Sequence, residues 1–258
     1  MSPAKARLSN TDAARATGAE GHTPLATSRS LGVRLLRIGT VAAAALVILL
    51  ATFSTYAFRN NFAVVDDGRV FRSAQPQNAG EFRRLVADHR IASVLNLRGG
   101  GADDPWYRDE ARVLPSLGVD FYDLPMLATE RPSRRTLLRL AAVLDTCRYP
   151  LLIHCKSGSD RTGLAVSLYL LTHRGLPPSE ALRGFSVWHG HVPFGGTERL
   201  QEPLKEYDAW LRSRRLAHSP ERFRDWLRAD YVADDAYVDE APPRIGPRLP
   251  ERPATVIW

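Results

Sequence analysis

Cys155 and Arg161 stand six positions apart in the run His154-Cys155-Lys156-Ser157-Gly158-Ser159-Asp160-Arg161-Thr162-Gly163. A thiolate followed at this distance by a guanidinium suits attack on a phosphate monoester, with the arginine offering a planar fork to two phosphate oxygens. The spacing alone is weak, because such pairs occur by chance. Four neighbouring features strengthen it: an apolar strand at 151–154, His154 beside the cysteine, the Arg161-Thr162-Gly163 ending, and an apolar helix beginning at about 162. A loop between strand and helix can aim backbone N–H groups at an anion, and the helix adds the positive end of its dipole. The same field lowers a thiol pKa. Lys156, Ser157, Gly158, Ser159, Asp160 and Arg161 are therefore the expected phosphate-binding residues. Gly158 allows tight closure, Thr162 can donate its hydroxyl to the thiolate, and His154 orients the loop.

The elements that must hold this loop read as an α/β domain over 62–215. Strands are expected at 70–72, 91–97, 119–126 and 151–154, and helices at 78–89, 106–117, 133–147 and 162–173, with further helices to about 213. Asn78 followed by Glu81 reads as a capping box. Strands alternating with helices predict a central, mainly parallel sheet flanked by helices. Residues 216–258 are expected to hold one more helix and a proline-rich, irregular tail from about 241.

With these motifs the chain resembles the protein tyrosine phosphatase superfamily, in its compact dual-specificity and tensin-like branch. The likeness covers roughly 62–213. It includes Val70-Phe71-Arg72-Ser73-Ala74-Gln75-Pro76 and Leu95-Asn96-Leu97-Arg98, which look like segments of bacterial dual-specificity-like enzymes. The resemblance implies a phosphocysteine intermediate at Cys155, a separate general acid, and no metal or other cofactor. Family members carry the acid on a loop roughly thirty residues before the cysteine. Asp160, which lies in the phosphate loop as in the Lys-Asp-Arg-Thr-Gly ending of one bacterial branch, Glu130, in the loop 128–132, and Asp123 are the candidates, followed by Asp103 and Asp104. The implied substrates are phosphotyrosine, phosphoserine or phosphothreonine in proteins. A phosphoinositide, phospholipid or inositol phosphate is the alternative, kept open by Lys156 and by membrane tethering. An inactive phosphate-binding module is a third reading, and intact Cys155 and Arg161 argue against it.

Composition sets outer bounds. Hydrophobic residues at 44% and charged residues at 24% indicate a globular chain rather than a disordered one. Of the formal charge of +7, +4 lies within 1–37. That stretch is expected to be a disordered basic tail. An uncharged run follows at 38–58, and at ~1.5 Å per residue it covers about 31 Å, the thickness of a bilayer core. It is expected to be a single-pass signal anchor. Arg29, Arg34 and Arg37 before it place the N-terminus in the cytoplasm and the catalytic domain in a periplasmic or other extracytoplasmic space. Charge placed beside an apolar run, rather than on a folded face with aromatics, speaks against nucleic-acid binding. Two cysteines, Cys147 and Cys155, make neither a disulfide framework nor a zinc site. A reversible Cys147–Cys155 disulfide is conceivable if their Cα atoms approach to about 7 Å. Trp188, His189 and His191 occupy a glycine-rich stretch, where packing is the plainer expectation than lining the site.

Overall fold

The computed structural model describes residues 26–57, 60–233 and 244–245. The chain divides into two compact units, 1–52 and 53–258.

Helix α1 runs Ala26–Ala57. Its stretch Gly32–Ala51 is long and apolar enough to cross a membrane, and none of it is buried in protein. Val41, Leu46 and Leu49 project uncovered. The expectation of an irregular tail through residue 37 is corrected from Ala26 onward, where the chain is already helical. No proline lies between Pro24 and the end of α1, and Arg34, Leu35, Leu36 and Arg37 are good helix formers. Residues 1–25 lie outside the described residues.

The second unit is built on a sheet of β1 (Ala63–Asp66), β2 (Val70–Ser73), β3 (Ser93–Asn96), β4 (Asp120–Asp123), β5 (Leu151–His154) and β6 (Arg244–Ile245), in the order β1-β2-β5-β3-β4-β6. The four inner strands are parallel, and β1 and β6 pair antiparallel at the edges. Helices α2 (Ala79–His89) and α3 (Pro105–Ser116) cover one face. Helices α4 (Arg134–Thr146), α5 (Asp160–Thr172), α6 (Pro178–Ala181), α7 (Glu202–Arg214) and α8 (Pro220–Ala229) complete the domain. Strands β2, β3 and β5 are buried throughout, as central strands of a covered sheet must be. Their side chains alternate between two cores. Phe71, Val94 and Leu152 join the α2/α3 core, while Val70, Leu95, Leu151 and Ile153 face the larger core of α4, α5, α7 and α8.

Local signals set the helix ends. Asn78 Oδ1 accepts from Gly80 N and Glu81 N at the start of α2. Ser133 Oγ accepts from Thr136 N at the start of α4. The expected strands at 91–97 and 119–126 are shorter, because regular pairing stops at Asn96 and Asp123, where the chain opens towards the site. Single bonds still continue from Leu97 N to His154 O and from Leu124 N to Asn96 O. The tail expected to be irregular contributes β6, and the rest of it lies outside the described residues.

The boundary at 215 is also corrected, because α8 belongs to the main core. Phe223, Trp226, Leu227 and Tyr231 are buried together with Tyr207 of α7 and Leu168 and Leu171 of α5. Rings of Tyr207, Phe223 and Trp226 meet at centroid distances of 5.0–5.9 Å. Phe223→Ala should therefore destabilise the whole domain by about 3–5 kcal/mol, the range for truncating a buried aromatic. Urea unfolding followed by circular dichroism measures this. A loss under about 1 kcal/mol would mean that α8 is an appendage.

Candidate active site

Strand β5 delivers Cys155 to the carboxyl edge of the sheet, and the chain then turns through 156–159 into α5. The loop's shape follows from where its carbonyls go. Lys156 O accepts from Gln75 N at 3.3 Å, and Ser157 O accepts from Asn61 Nδ2 at 2.8 Å. Gly158 O and Ser159 O both accept from Arg72, at 2.7 and 3.4 Å. In a trans peptide the C=O of one residue and the N–H of the next point in opposite directions. Four carbonyls turned outward therefore turn the N–H groups of residues 157–160 inward. Gly158 sits at φ +71°, and a Cβ there would lie 2.5 Å from Ser73 O and 2.6 Å from Ala74 N. Only glycine fits, as the sequence predicts.

The enclosed thiol is Cys155, which is buried. Burial by itself would raise its pKa. The Arg161 charge, the Thr162 hydroxyl and the N–H groups of Thr162 and Gly158 outweigh burial and hold the thiol below its ordinary value. Thr162 Oγ1 is buried without an oxygen or nitrogen partner, so the sulfur is the acceptor it serves. Arg161 Nη1 makes long contacts of 3.3–3.5 Å to the carbonyls of Leu97, Arg98 and Met126. Its Nε is buried with no acceptor among the described residues, which suits a guanidinium kept for an anion. Lys156 and Ser157 are exposed at the rim.

Ser73, His154, Asn96 and Asp123 align as the last residues of β2, β5, β3 and β4, forming a buried polar row. Helix α3 supplies the partners. Glu110, fully buried, places Oε1 2.7 Å from His154 Nε2. Its Oε2 accepts from Gln75 Nε2 at 3.0 Å and Asn96 Nδ2 at 3.5 Å. Burial lowers the His154 pKa, but Glu110 and the Cys155 charge overcome it and raise it above the ordinary value. The residue next to Cys155 is thus an imidazole whose ring Glu110 fixes and whose protonated form it favours. Glu110 was not singled out from sequence. Its signal was a carboxylate on the apolar face of α3, three positions after Tyr107.

The candidate acids separate clearly. Asp123 is buried in β4 and accepts from Tyr107 OH at 2.9 Å, which makes it part of the framework. Asp104 Oδ2 accepts from Gly101 N at the entrance of α3. Asp160 Oδ1 accepts from Ser159 Oγ at 3.2 Å and lies 2.7 Å from Nδ1 of buried His191. Glu130 is half-buried and lines a cleft of about 290 Å³ together with Arg161, Arg98, Met126 and Arg131. Its loop is clamped from the far end of the domain: Tyr231 OH donates to Pro132 O at 2.6 Å, and Arg131 binds Glu206 and Val232 O. Arg98, not singled out from sequence as a site residue, lines the same cleft and lies 3.6 Å over the Trp106 ring. Burial and the Arg161 charge lower its pKa, against Asp104.

Two further expectations are corrected. Cys147 caps α4 beside Asp120 and Arg69, at the opposite end of β5 from Cys155. Strand length alone, ~3.3 Å per residue over Leu151–His154, exceeds the reach of a disulfide. Cys147 is a buried core thiol, with burial pushing its pKa up to about 11. Trp188 is not packed but 85% exposed.

The model of the family described as PTP-SAK, Swiss Army Knife protein, DSP-PTPase phosphatase domain, matches residues 59–218. The chain belongs to this family. The PTP-SAK match stops short of α8, which shares the same core. Inositol diphosphatase DSP2 of Oryza sativa subsp. japonica is 32% identical over 111 residues, covering 41% of this chain and 51% of that protein. Phosphatidylglycerophosphatase and protein-tyrosine phosphatase 1 of Mus musculus is 25% identical over 139 residues, 51% of this chain and 69% of that one. The chain thus spans about half the length of the rice relative. The core catalytic domain of the PP-IP phosphatase SIW14 from S. cerevisiae superimposes with a TM-score of 0.47 at 20% identity, over 65% of this chain and 94% of that domain. By its description this family is a dual-specificity type within the cysteine-based phosphatase superfamily.

Glu110→Gln should cost about 3 kcal/mol of stability, the lower range for breaking a buried pair. A histidine with a raised folded pKa contributes stability that is full below its ordinary pKa and fades as pH rises through the folded value. The urea curves of variant and wild type should therefore converge in alkaline buffer. Curves that stay parallel across pH would mean that the pair is uncharged.

Proposed function

We propose that the protein is a membrane-anchored phosphatase that hydrolyses phosphate monoesters through a phosphocysteine at Cys155. The observation that carries this reading is the four outward carbonyls of 156–159, which aim their amides at the sulfur's approach path. Cys155 Sγ attacks phosphorus, an S–P bond forms and the P–O bond to the leaving group breaks. Glu130 gives its proton to the departing oxygen. It then takes a proton from the water that attacks phosphorus, which restores the thiolate and releases inorganic phosphate. Amides and Arg161 stabilise the charge on the equatorial oxygens throughout.

Glu130 is preferred to Asp160 as the acid because Asp160 Oδ1 already serves Ser159 and His191, whereas Glu130 faces the cleft of Arg161. Arg98 supplies that cleft with a second cation beside Arg161. A second cation favours substrates with more than one anionic group. The reading therefore moves from phosphoproteins towards inositol phosphates or phospholipid headgroups, in keeping with the names of the rice and mouse relatives. In this reading helix α1 is the anchor, and the excess of arginines before its apolar run favours an extracytoplasmic catalytic unit.

Cys155→Ser should abolish turnover yet retain oxyanion binding, and Arg161→Lys should lose at least about a hundredfold, since a point ammonium cannot reproduce the fork. Steady-state assays on an aryl phosphate measure both, and activity of Cys155→Ser within about tenfold of wild type would remove covalent catalysis.

The acid is distinguished by leaving group. Glu130→Gln should slow an alkyl phosphate such as an inositol phosphate far more than an activated phenyl ester. Asp160→Asn should slow both alike. The reverse pattern assigns the acid to Asp160.

A further inference from the structure

Among the large apolar side chains of the described catalytic unit, Trp188 and Phe194 are the most exposed, at 85% and 83%, and Val187 and Val192 on the same loop are exposed at 66% and 63%. A single exposed hydrophobe calls for no explanation, but four within one short loop form a patch that a lone soluble surface rarely carries. The loop is firmly held. Asn61 Nδ2 donates to His189 O at 2.9 Å and to Ser157 O of the phosphate loop, and Asn61 Oδ1 lies 2.9 Å from His189 Nδ1. His191 joins Asp160, and Thr197 Oγ1 donates to Val192 O at 2.7 Å. On the other side a Cβ on Gly196 would fall 2.9 Å from Thr129, next to Glu130. The patch is thus fixed on the rim between the nucleophile's loop and the acid's loop.

What it faces follows from the chain itself. Asn61, which ties patch to phosphate loop, is four residues beyond Ala57, the last residue of α1. At no more than ~3.6 Å per residue, that chain reaches about 14 Å. Covalent reach alone therefore keeps Asn61 within that distance of the end of a helix long and apolar enough to cross a bilayer. Exposed Lys156, Arg183 and Arg199 nearby suit phospholipid headgroups, and tryptophan is favoured at that boundary.

We propose that the 187–194 loop is a membrane-docking element, in which Trp188 and Phe194 enter the headgroup boundary and hold Cys155 over phosphomonoesters of the adjoining leaflet. This rests on the phosphatase reading and narrows its substrate to lipid headgroups.

The full chain, reconstituted in vesicles of phosphatidylcholine and phosphatidylglycerol with brominated acyl chains, provides the test. Tryptophan quenching should be greater in wild type than in Trp188→Phe. Turnover of phosphatidylinositol phosphate in the same vesicles should fall about tenfold in the Trp188→Ser/Phe194→Ser double variant, with a soluble aryl phosphate within about twofold of wild type. Equal quenching of wild type and Trp188→Phe overturns the docking, as does self-association of wild type that the double variant loses, which would give the patch to a second copy. Equal losses on lipid and aryl substrate overturn it too. A wild type inert towards the aryl phosphate refutes the phosphatase reading instead, and quenching is read independently of turnover.

Discussion

The guanidinium of Arg72 is the constraint on which the site depends. Buried at the end of β2, it grips three carbonyls: Gly158 and Ser159 in the phosphate loop and Gly184 at 2.7 Å. Burial brings its pKa down to about 10, with the Cys155 charge opposing the change, so it stays protonated near neutral pH. Its position is set by sheet register, since Arg72 lies beside Ile153, two residues before the nucleophile. The close approach of Gly163 and Gly184, where a Cβ on Gly184 would lie 2.6 Å from Gly163 O, brings the third carbonyl within range. Parallel pairing of β2 with β5 thus fixes which way four peptide units face, and with them the anion site. A lysine there could not bind three carbonyls from one planar head.

The reactive loop was legible because its chemistry is local. Strand, cysteine, glycine, arginine and helix follow one another, and each has a reason visible in the residue type. The helix cap at Asn78 was legible for the same reason. Partners separated by long stretches of chain were not. Glu110 meets His154 across 44 residues, and Arg72 meets Gly184 across 112. Such pairs appear in sequence only as a charge on an apolar face or strand, which marks an anomaly without naming its partner. The general acid stayed open for a related reason: a loop carboxylate's role depends on what else it touches, and His191 comes to Asp160 from 31 residues away. The domain end was misplaced because α8 has many charged residues, and its buried Phe223, Trp226 and Leu227 form only one stripe.

Two kinds of support converge on the catalytic edge of the sheet. The polar row of Ser73, His154, Asn96 and Asp123 is rigid, held by α3 from within. The loop of Glu130 is held from outside by Tyr231, Arg131 and Arg134, all of them linking it to chain that follows α8. The loop of Cys155 and the loop of Glu130 are therefore stabilised by separate parts of the fold, one by the sheet and the other by the C-terminal segment.

The placement of the two thiols at opposite ends of β5 has a chemical consequence. A poised thiolate is readily oxidised to a sulfenic acid, and a neighbouring cysteine commonly traps that species as a disulfide before further oxidation. This chain has only two cysteines, and Cys147 faces the wrong end of the strand. Oxidised Cys155 has no internal thiol to resolve it. Its recovery depends on a small-molecule thiol reaching the mouth of the cleft, or on capture by a backbone nitrogen of the surrounding loop, so the persistence of a reduced Cys155 is tied to the reducing capacity of its surroundings.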